Sequence, residues 1–123
     1  MKKKALIISI KGFRLSLKER TLLSKEKPWG LILFKRNIKS FIQLKKLIIS
    51  IKKNTKDKKF PILIDEEGLS VSRLSNLISH NVNAYFFGNL YKTHPKIALK
   101  LYKNYLEALC ANLKSIGINF NTI

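Results

Sequence analysis

The residues best placed to do chemistry are Asp65, Glu66 and Glu67. They are three of the chain's seven acidic residues, and they follow directly on the apolar run Phe60-Pro61-Ile62-Leu63-Ile64 and precede Gly68. An apolar run ending in carboxylates and a glycine is the pattern of a buried parallel strand whose carboxyl end opens into a loop, where α/β folds gather their ligand groups. The cluster also has two plainer readings. Asp65 and Glu67 have the oxygen chemistry for a hard cation such as magnesium, but neither a third ligand nor a phosphate loop accompanies them, so no metal is expected. Glu66 and Glu67 can simply offset nearby lysines. His80 and His94 fall in loop-like segments and read as surface histidines, while Cys110, the single cysteine, lies in a helical pattern where a small buried apolar residue is expected.

Short apolar runs alternate with longer helical periods and set the frame for these residues. Ala5 to Ile10 reads as a strand, and Ser16-Leu17-Lys18-Glu19 is a capping-box signature that opens a short helix through about Ser24. Pro28-Trp29-Gly30 marks a turn before the run Leu31 to Phe34. Ser40-Phe41-Ile42-Gln43 is a second capping-box signature, with Phe41, Leu44, Ile48 and Ile51 on one helical face up to about Lys53. After the strand into Asp65, Val71 to Ile78 reads as a short helix or irregular, and Asn81 to Gly88 as an aromatic loop. Pro95 suits a first helical position, with Ile97, Leu101, Tyr105, Ala108 and Leu109 on one face until Gly117 ends the helix; Ile118 to Ile123 is extended again. This order predicts an α/β fold with a parallel sheet.

With 123 residues the chain is too short for two domains. One cysteine permits no disulfide framework and points to a reducing compartment. Met1-Lys2-Lys3-Lys4 and the apolar residues after it have the order of a signal peptide, but Lys11 interrupts the run and no small-residue cleavage site follows. No run approaches the roughly 20 apolar residues that span a bilayer. The net charge of +18 invites a nucleic-acid partner. Its texture argues against one: only Arg14, Arg20, Arg36 and Arg73 among the 25 basic residues are arginine, the lysines scatter over nearly every segment, and the lysine-rich stretch Lys52 to Lys59 has no interleaved aromatics.

Two segments are recognisable. Gly30-Leu31-Ile32-Leu33-Phe34-Lys35-Arg36-Asn37 is followed about thirty residues later by Ile64-Asp65-Glu66-Glu67-Gly68, then Val71 and Arg73. Together they resemble glycoside hydrolase family three, closest to the bacterial β-N-acetylhexosaminidases that recycle cell-wall sugars. The family's first signature is a strand and a Phe-x-Arg-Asn turn; its second is Asp-x-Glu-Gly-Gly-x-Val-x-Arg at the end of the third strand. Phe87-Gly88 and Gly117-Ile118-Asn119-Phe120 extend the likeness over nearly the whole chain.

The resemblance implies a (β/α)₈-like barrel, a fold of about 250 residues. Residues 1–123 are then expected to form its incomplete N-terminal portion, with about four parallel strands. It further implies cytoplasmic hydrolysis of terminal N-acetylhexosamine by the complete protein, through a retained glycosyl-enzyme intermediate and without metal or organic cofactor. Asp65 matches the carboxylate that holds hydroxyls of the non-reducing sugar; its two oxygens can accept two adjacent hydroxyl hydrogens. Arg36, Glu67 and Arg73 match family positions that either touch sugar or brace the loops by ion pairs. Leu69 stands in place of the family's second glycine, a change that alters the loop if that glycine serves an unusual backbone angle. Ser70 stands in place of an arginine and removes a charge from the rim. No residue matches the aspartate nucleophile or the His-Asp acid/base pair, so no catalytic residue is assigned and the chain alone is expected to be inactive. A half barrel also exposes sheet edges and an apolar face, which predicts self-association or a complementing polypeptide. The alternative function is a basic, non-enzymatic module for RNA or another anionic polymer.

Overall fold

The computed structural model describes residues 3–122. Met1, Lys2 and Ile123, which fall in the first basic stretch and the last extended run of the sequence reading, lie outside the described residues. The strands are β1 (Lys4–Ile8), β2 (Pro28–Leu33), β3 (Ile62–Ile64) and β4 (Phe120–Asn121), and the helices α1 (Leu17–Glu26), α2 (Phe41–Thr55), α3 (Ala84–Thr93) and α4 (Pro95–Ile116). A single 3₁₀ turn, Lys35–Asn37, follows β2. All strand pairs are parallel and the sheet order is β1-β2-β3-β4, so each strand lies beside its predecessor. The α/β parallel architecture expected from the alternation is therefore present.

Register divides the sheet into two unlike faces. The rows Ile8-Leu31-Ile62 and Leu33-Ile64 point to the helices and pack with Leu23 of α1, Leu44, Leu47, Ile48 and Ile51 of α2, and Leu109, Leu113 and Ile116 of α4. The rows Ile7-Gly30 and Ile32-Leu63-Phe120 alternate onto the other face, where Ile7 and Phe120 are each 45% exposed. Trp29 packs edge-on against Phe120 on that side, at 5.4 Å between ring centroids.

Local chemistry explains the element boundaries. Ser16 and Glu19 form the full capping box of α1. At α2 only half of the second box forms. Ser40 accepts from the Gln43 amide, but the Gln43 side chain accepts from the Lys39 amide and donates to the Phe13 and Asn37 carbonyls. The turn expected at Pro28-Trp29-Gly30 lies one residue earlier. Lys27 takes the left-handed conformation that ends α1 (φ 49°), and Pro28 already starts β2. Gly30 is needed for close approach: a Cβ there would stand 3.0 Å from Leu63 Cδ1 and 3.1 Å from Pro61 Cβ.

The expected helix faces also shift. Phe41 is exposed and Leu47 takes its place in the α2 face, because Phe41 is the first helical residue and points past the sheet edge. On α4, Ile97, Leu101 and Ala108 are exposed, while Ala98, Leu109, Leu113 and Ile116 are buried, the last three within the core under the sheet. Cys110 is exposed because it turns away from the buried stripe of Leu109, Leu113 and Ile116, against the expectation of burial. The segment expected to be an aromatic loop becomes α3, started by Asn83, whose side chain accepts from the Phe86 amide. Val71 to Ile78 is irregular, one of its two expected forms.

Candidate functional site

The carboxyl ends of β2 and β3 lie side by side, which brings Phe34-Lys35-Arg36-Asn37 next to Asp65 and Arg73. Asp65 is the first residue past β3 and is partly exposed, with 24% of its side chain open. Its Oδ2 accepts from Arg73 Nη2 at 3.0 Å and its Oδ1 from the Thr122 hydroxyl beyond β4. The Thr122 hydrogen bond, followed by that of Arg73 and its charge, outweighs partial burial and holds the Asp65 carboxyl below its ordinary range. Asp65 is thus an ionised acceptor, and each oxygen keeps a lone pair free for a further donor.

Arg36 and Arg73 converge on the same ring. Their guanidinium carbons lie 4.5 Å and 5.8 Å from the Phe34 centroid, so the apolar residue just past β2 spaces two cations along the strand ends. Arg36 also donates to the Ile10 carbonyl at 3.1 Å and to Ser9 Oγ at 3.0 Å, bracing the loop after β1. Asn37 is fully buried; its amide donates to the Ile10 and Gly12 carbonyls and its oxygen accepts from the Phe34 amide. The Phe-x-Arg-Asn turn is therefore the joint that ties β1 to β2 at the site end of the sheet.

Glu67 does not join this group. Its side chain is exposed and enters no ion pair among the described residues; its backbone makes the contacts, the amide to the Val71 carbonyl and the carbonyl to the Tyr105 hydroxyl. It borders a cleft of about 270 Å³ against Phe87, Tyr102 and Tyr105. Of the three acids it is Glu66 that is buried, contrary to the reading in which it offsets surface lysines. Its carboxylate accepts from the Ser72 hydroxyl, from the Arg73 and Leu74 amides at 2.8 and 2.9 Å, and from His80 Nε2 at 2.7 Å. His80, expected at the surface, has a side chain only 5% exposed; His94, at the α3–α4 junction, is exposed as expected. The physical reason is that four donors around one carboxylate offset the cost of burying it, and the loop 65–74 is wrapped around that carboxylate.

Sequence reasoning missed Glu66, His80, Tyr105, Asn121 and Thr122. Asn121 exchanges two hydrogen bonds with the Glu66 backbone and so fixes β4 to the same loop. The one available signal was the run of polar residues Asn119, Asn121 and Thr122 at strand spacing in a segment otherwise read as apolar. At Leu69 the chain departs from the family pattern without distorting the loop. The residue has no positive φ and its side chain is exposed, whereas Gly68 adopts φ +139°, where a Cβ would lie 2.7 Å from the Val82 carbonyl oxygen. Among the described residues, no three His, Cys, Asp or Glu side chains gather into a group that could hold a metal ion.

Adjacent parallel strands linked through helices, with charged side chains at their carboxyl ends, define a segment of a parallel α/β barrel. Comparisons with known proteins specify it further. No family model matches the chain. A β-hexosaminidase of Xanthomonas campestris pv. campestris is 29% identical over 116 residues, covering 94% of this chain and 35% of that protein. One from Stenotrophomonas maltophilia is 28% identical with a similar span, 94% of this chain and 34% of its own length. Among solved structures, NagZ from Neisseria gonorrhoeae superposes with a TM-score of 0.90 at 26% identity, over 98% of this chain and 36% of that one. A glycoside hydrolase family three β-N-acetylglucosaminidase from a Paenibacillus species has the same fold, with a TM-score of 0.84 at 23% identity over 97% of this chain and 22% of that one. The chain spans about a third of the length of the curated relatives it matches. Its resemblance to the N-terminal part of the glycoside hydrolase family three barrel holds in both sequence and fold.

Proposed function

We propose that residues 1–123 are an incomplete barrel domain that supplies the sugar-holding end of a β-N-acetylhexosaminidase-type glycoside hydrolase. The observation that carries the reading is Asp65: an ionised, partly exposed carboxylate at the end of a barrel strand, steadied by Thr122 and Arg73. Its remaining lone pairs suit two neighbouring sugar hydroxyls. Arg73 orients it, Arg36 sets the neighbouring loop through Phe34 and the Ile10 carbonyl, and Glu67 supports the loop through its backbone. The gonococcal NagZ has been solved with N-trifluoroacetyl-D-glucosamine, which makes N-acetylglucosamine the first ligand to try.

On this reading the complete protein hydrolyses terminal N-acetylhexosamine in the cytoplasm, with no cofactor, while this chain alone contributes no nucleophile or acid/base. Among the described residues no helix is long and apolar enough to cross a membrane. Saturation-transfer NMR with N-acetylglucosamine tests the site. The chain is expected to bind it weakly and the Asp65→Ala variant not at all, with no turnover of a chromogenic N-acetylglucosaminide by either. Equal binding by both proteins would overturn the assignment of Asp65. The charge of +18 favours a second reading, a module for RNA or another anionic polymer. Affinity for such a polymer that falls steeply with salt, in a chain that binds no sugar, would establish it instead.

A further inference from the structure

Behind the Asp65 loop, Glu66, His80 and Tyr105 share more hydrogen-bond contacts than a neutral histidine can fill. Glu66 has no exposed surface, and the His80 side chain is 5% exposed. A carboxylate only accepts, so the 2.7 Å contact from Glu66 Oε1 to His80 Nε2 requires a proton on Nε2. On the other side of the ring, Tyr105 Oη lies 3.1 Å from Nδ1 and 3.2 Å from the Glu67 carbonyl oxygen. Burial first, and then the negative charge of Glu66, raises the Tyr105 pKa, so the phenol keeps its single proton. The elements around the pair bring few other titratable groups. Tyr102 of α4 lies near Tyr105, and α3 contributes the Phe87 ring against both.

Counting protons then gives two states. With His80 neutral, its one N–H goes to Glu66 and Nδ1 is an acceptor. Tyr105 can donate to Nδ1 or to the Glu67 carbonyl but not to both, so one of these two contacts is lost. With His80 doubly protonated, Nδ1–H donates to Tyr105, the phenol proton goes to Glu67, and every contact closes around a charge-compensated pair.

We propose that Glu66, His80 and Tyr105 form a protonation-dependent latch that fastens the loop 65–74 to α4, closed when His80 carries both protons and loosened at Glu67 when it loses one. The latch is present on the acid side and is lost as pH rises. The loop carries Asp65 and Arg73, so His80 and Tyr105 are positioning residues for the candidate sugar site. That part rests on the sugar-site reading; the latch itself does not.

Two substitutions separate the states. In Glu66→Gln, the amide oxygen can accept from the Arg73 and Leu74 amides, and the NH₂ can donate to Ser72 Oγ and to an unprotonated His80 Nε2. Nδ1–H then meets Tyr105 and the phenol stays on Glu67, so the network closes without charge. In Tyr105→Phe the Glu67 carbonyl loses its link to α4 at every pH.

Hydrogen exchange read by mass spectrometry, which tolerates an associated chain, tests this. Peptides covering Glu67 to Leu74 would be followed at about pH 5 and about pH 8, across the range in which imidazole changes charge. Rates are normalised to an unstructured peptide, and a peptide covering the exposed His94 serves as a control. In the unsubstituted chain, protection of the loop is expected at the lower pH and reduced at the higher one. Glu66→Gln should be protected at both and Tyr105→Phe at neither, with unchanged circular dichroism. Equal protection of the unsubstituted loop at both pH values overturns the latch, as does a Tyr105→Phe loop that retains the original pH dependence; the second comparison decides even if Glu66→Gln fails to fold. N-acetylglucosamine affinity measured at the same two pH values keeps the readings apart. A working latch without sugar binding refutes the sugar site alone, while sugar affinity that tracks loop protection supports both.

Discussion

Asn37 offers a test of how the site end of the sheet is held. It is fully buried and makes three hydrogen bonds, accepting from the Phe34 amide at 2.9 Å and donating to the Ile10 and Gly12 carbonyls at 3.0 Å each. Asn37→Leu keeps nearly the same volume and removes all three. The Ile10 carbonyl retains Arg36 Nε at 3.1 Å, so two groups are orphaned, the Phe34 N–H and the Gly12 C=O. A stranded group costs about 1–3 kcal/mol when buried, and Phe34 and Gly12 are only partly buried, so the sum is roughly 2–3 kcal/mol. That is a large share of the ~5–15 kcal/mol typical of a whole domain. Asn37→Asp is the sharper variant. One oxygen still accepts from Phe34, but the other faces two carbonyls with no proton between them, and a charge is buried. It should be less stable than Asn37→Leu near neutrality. Because its folded state favours the protonated acid, its deficit relative to the unsubstituted chain should shrink as pH falls. Urea unfolding followed by circular dichroism at several protein concentrations measures both. An Asn37→Leu variant within about 1 kcal/mol of the unsubstituted chain would show that the joint does not depend on this side chain.

Other perturbations probe the loop and the open face. Thr122 and then Arg73 hold the Asp65 carboxyl below its ordinary range, so its contribution to stability is present above the unfolded-state value and is lost as pH falls through the lower folded-state one. In acid-unfolding curves, Asp65→Asn should flatten this part of the decline. Gly68→Ala places a side chain at φ +139° with its Cβ 2.7 Å from the Val82 carbonyl oxygen, and should lower the unfolding free energy by roughly 1–3 kcal/mol or displace the loop. Ile7 and Phe120 lie on the apolar sheet face, which should drive self-association. Ile7→Lys with Phe120→Lys is expected to shift sedimentation towards monomer, and an unsubstituted chain that already sediments as a sharply melting monomer would contradict this.

Much of the fold was legible because it rests on local rules. Ser16 and Glu19 cap α1 as their spacing requires, Pro95 and Gly117 bound α4, and the apolar run before Asp65 is a strand buried on both faces. The errors share one origin. Phe41, Ile97, Leu101, Ala108 and Cys110 have helical spacing but lie off the stripes that join the core, and periodicity does not reveal which part of a helix face finds a partner. The aromatic, loop-like pattern of Asn81 to Gly88 conceals α3, whose start is set by the Asn83 cap.

The candidate site divides along the same line. The sequence by itself determined that carboxylates stand at the end of β3 and that a Phe-x-Arg-Asn turn follows the preceding strand, since both follow from residue order along strands; the grouping of Asp65 with Arg36 and Arg73 was implied only by the family resemblance. Only the tertiary structure decided which acid is buried. Whether Glu66 faces lysines or His80 depends on a loop folding back over fourteen positions in sequence and on α4 delivering Tyr105 from further still. Such contacts arise from packing between distant segments, and no periodicity or motif in one segment encodes what the other will bring to it.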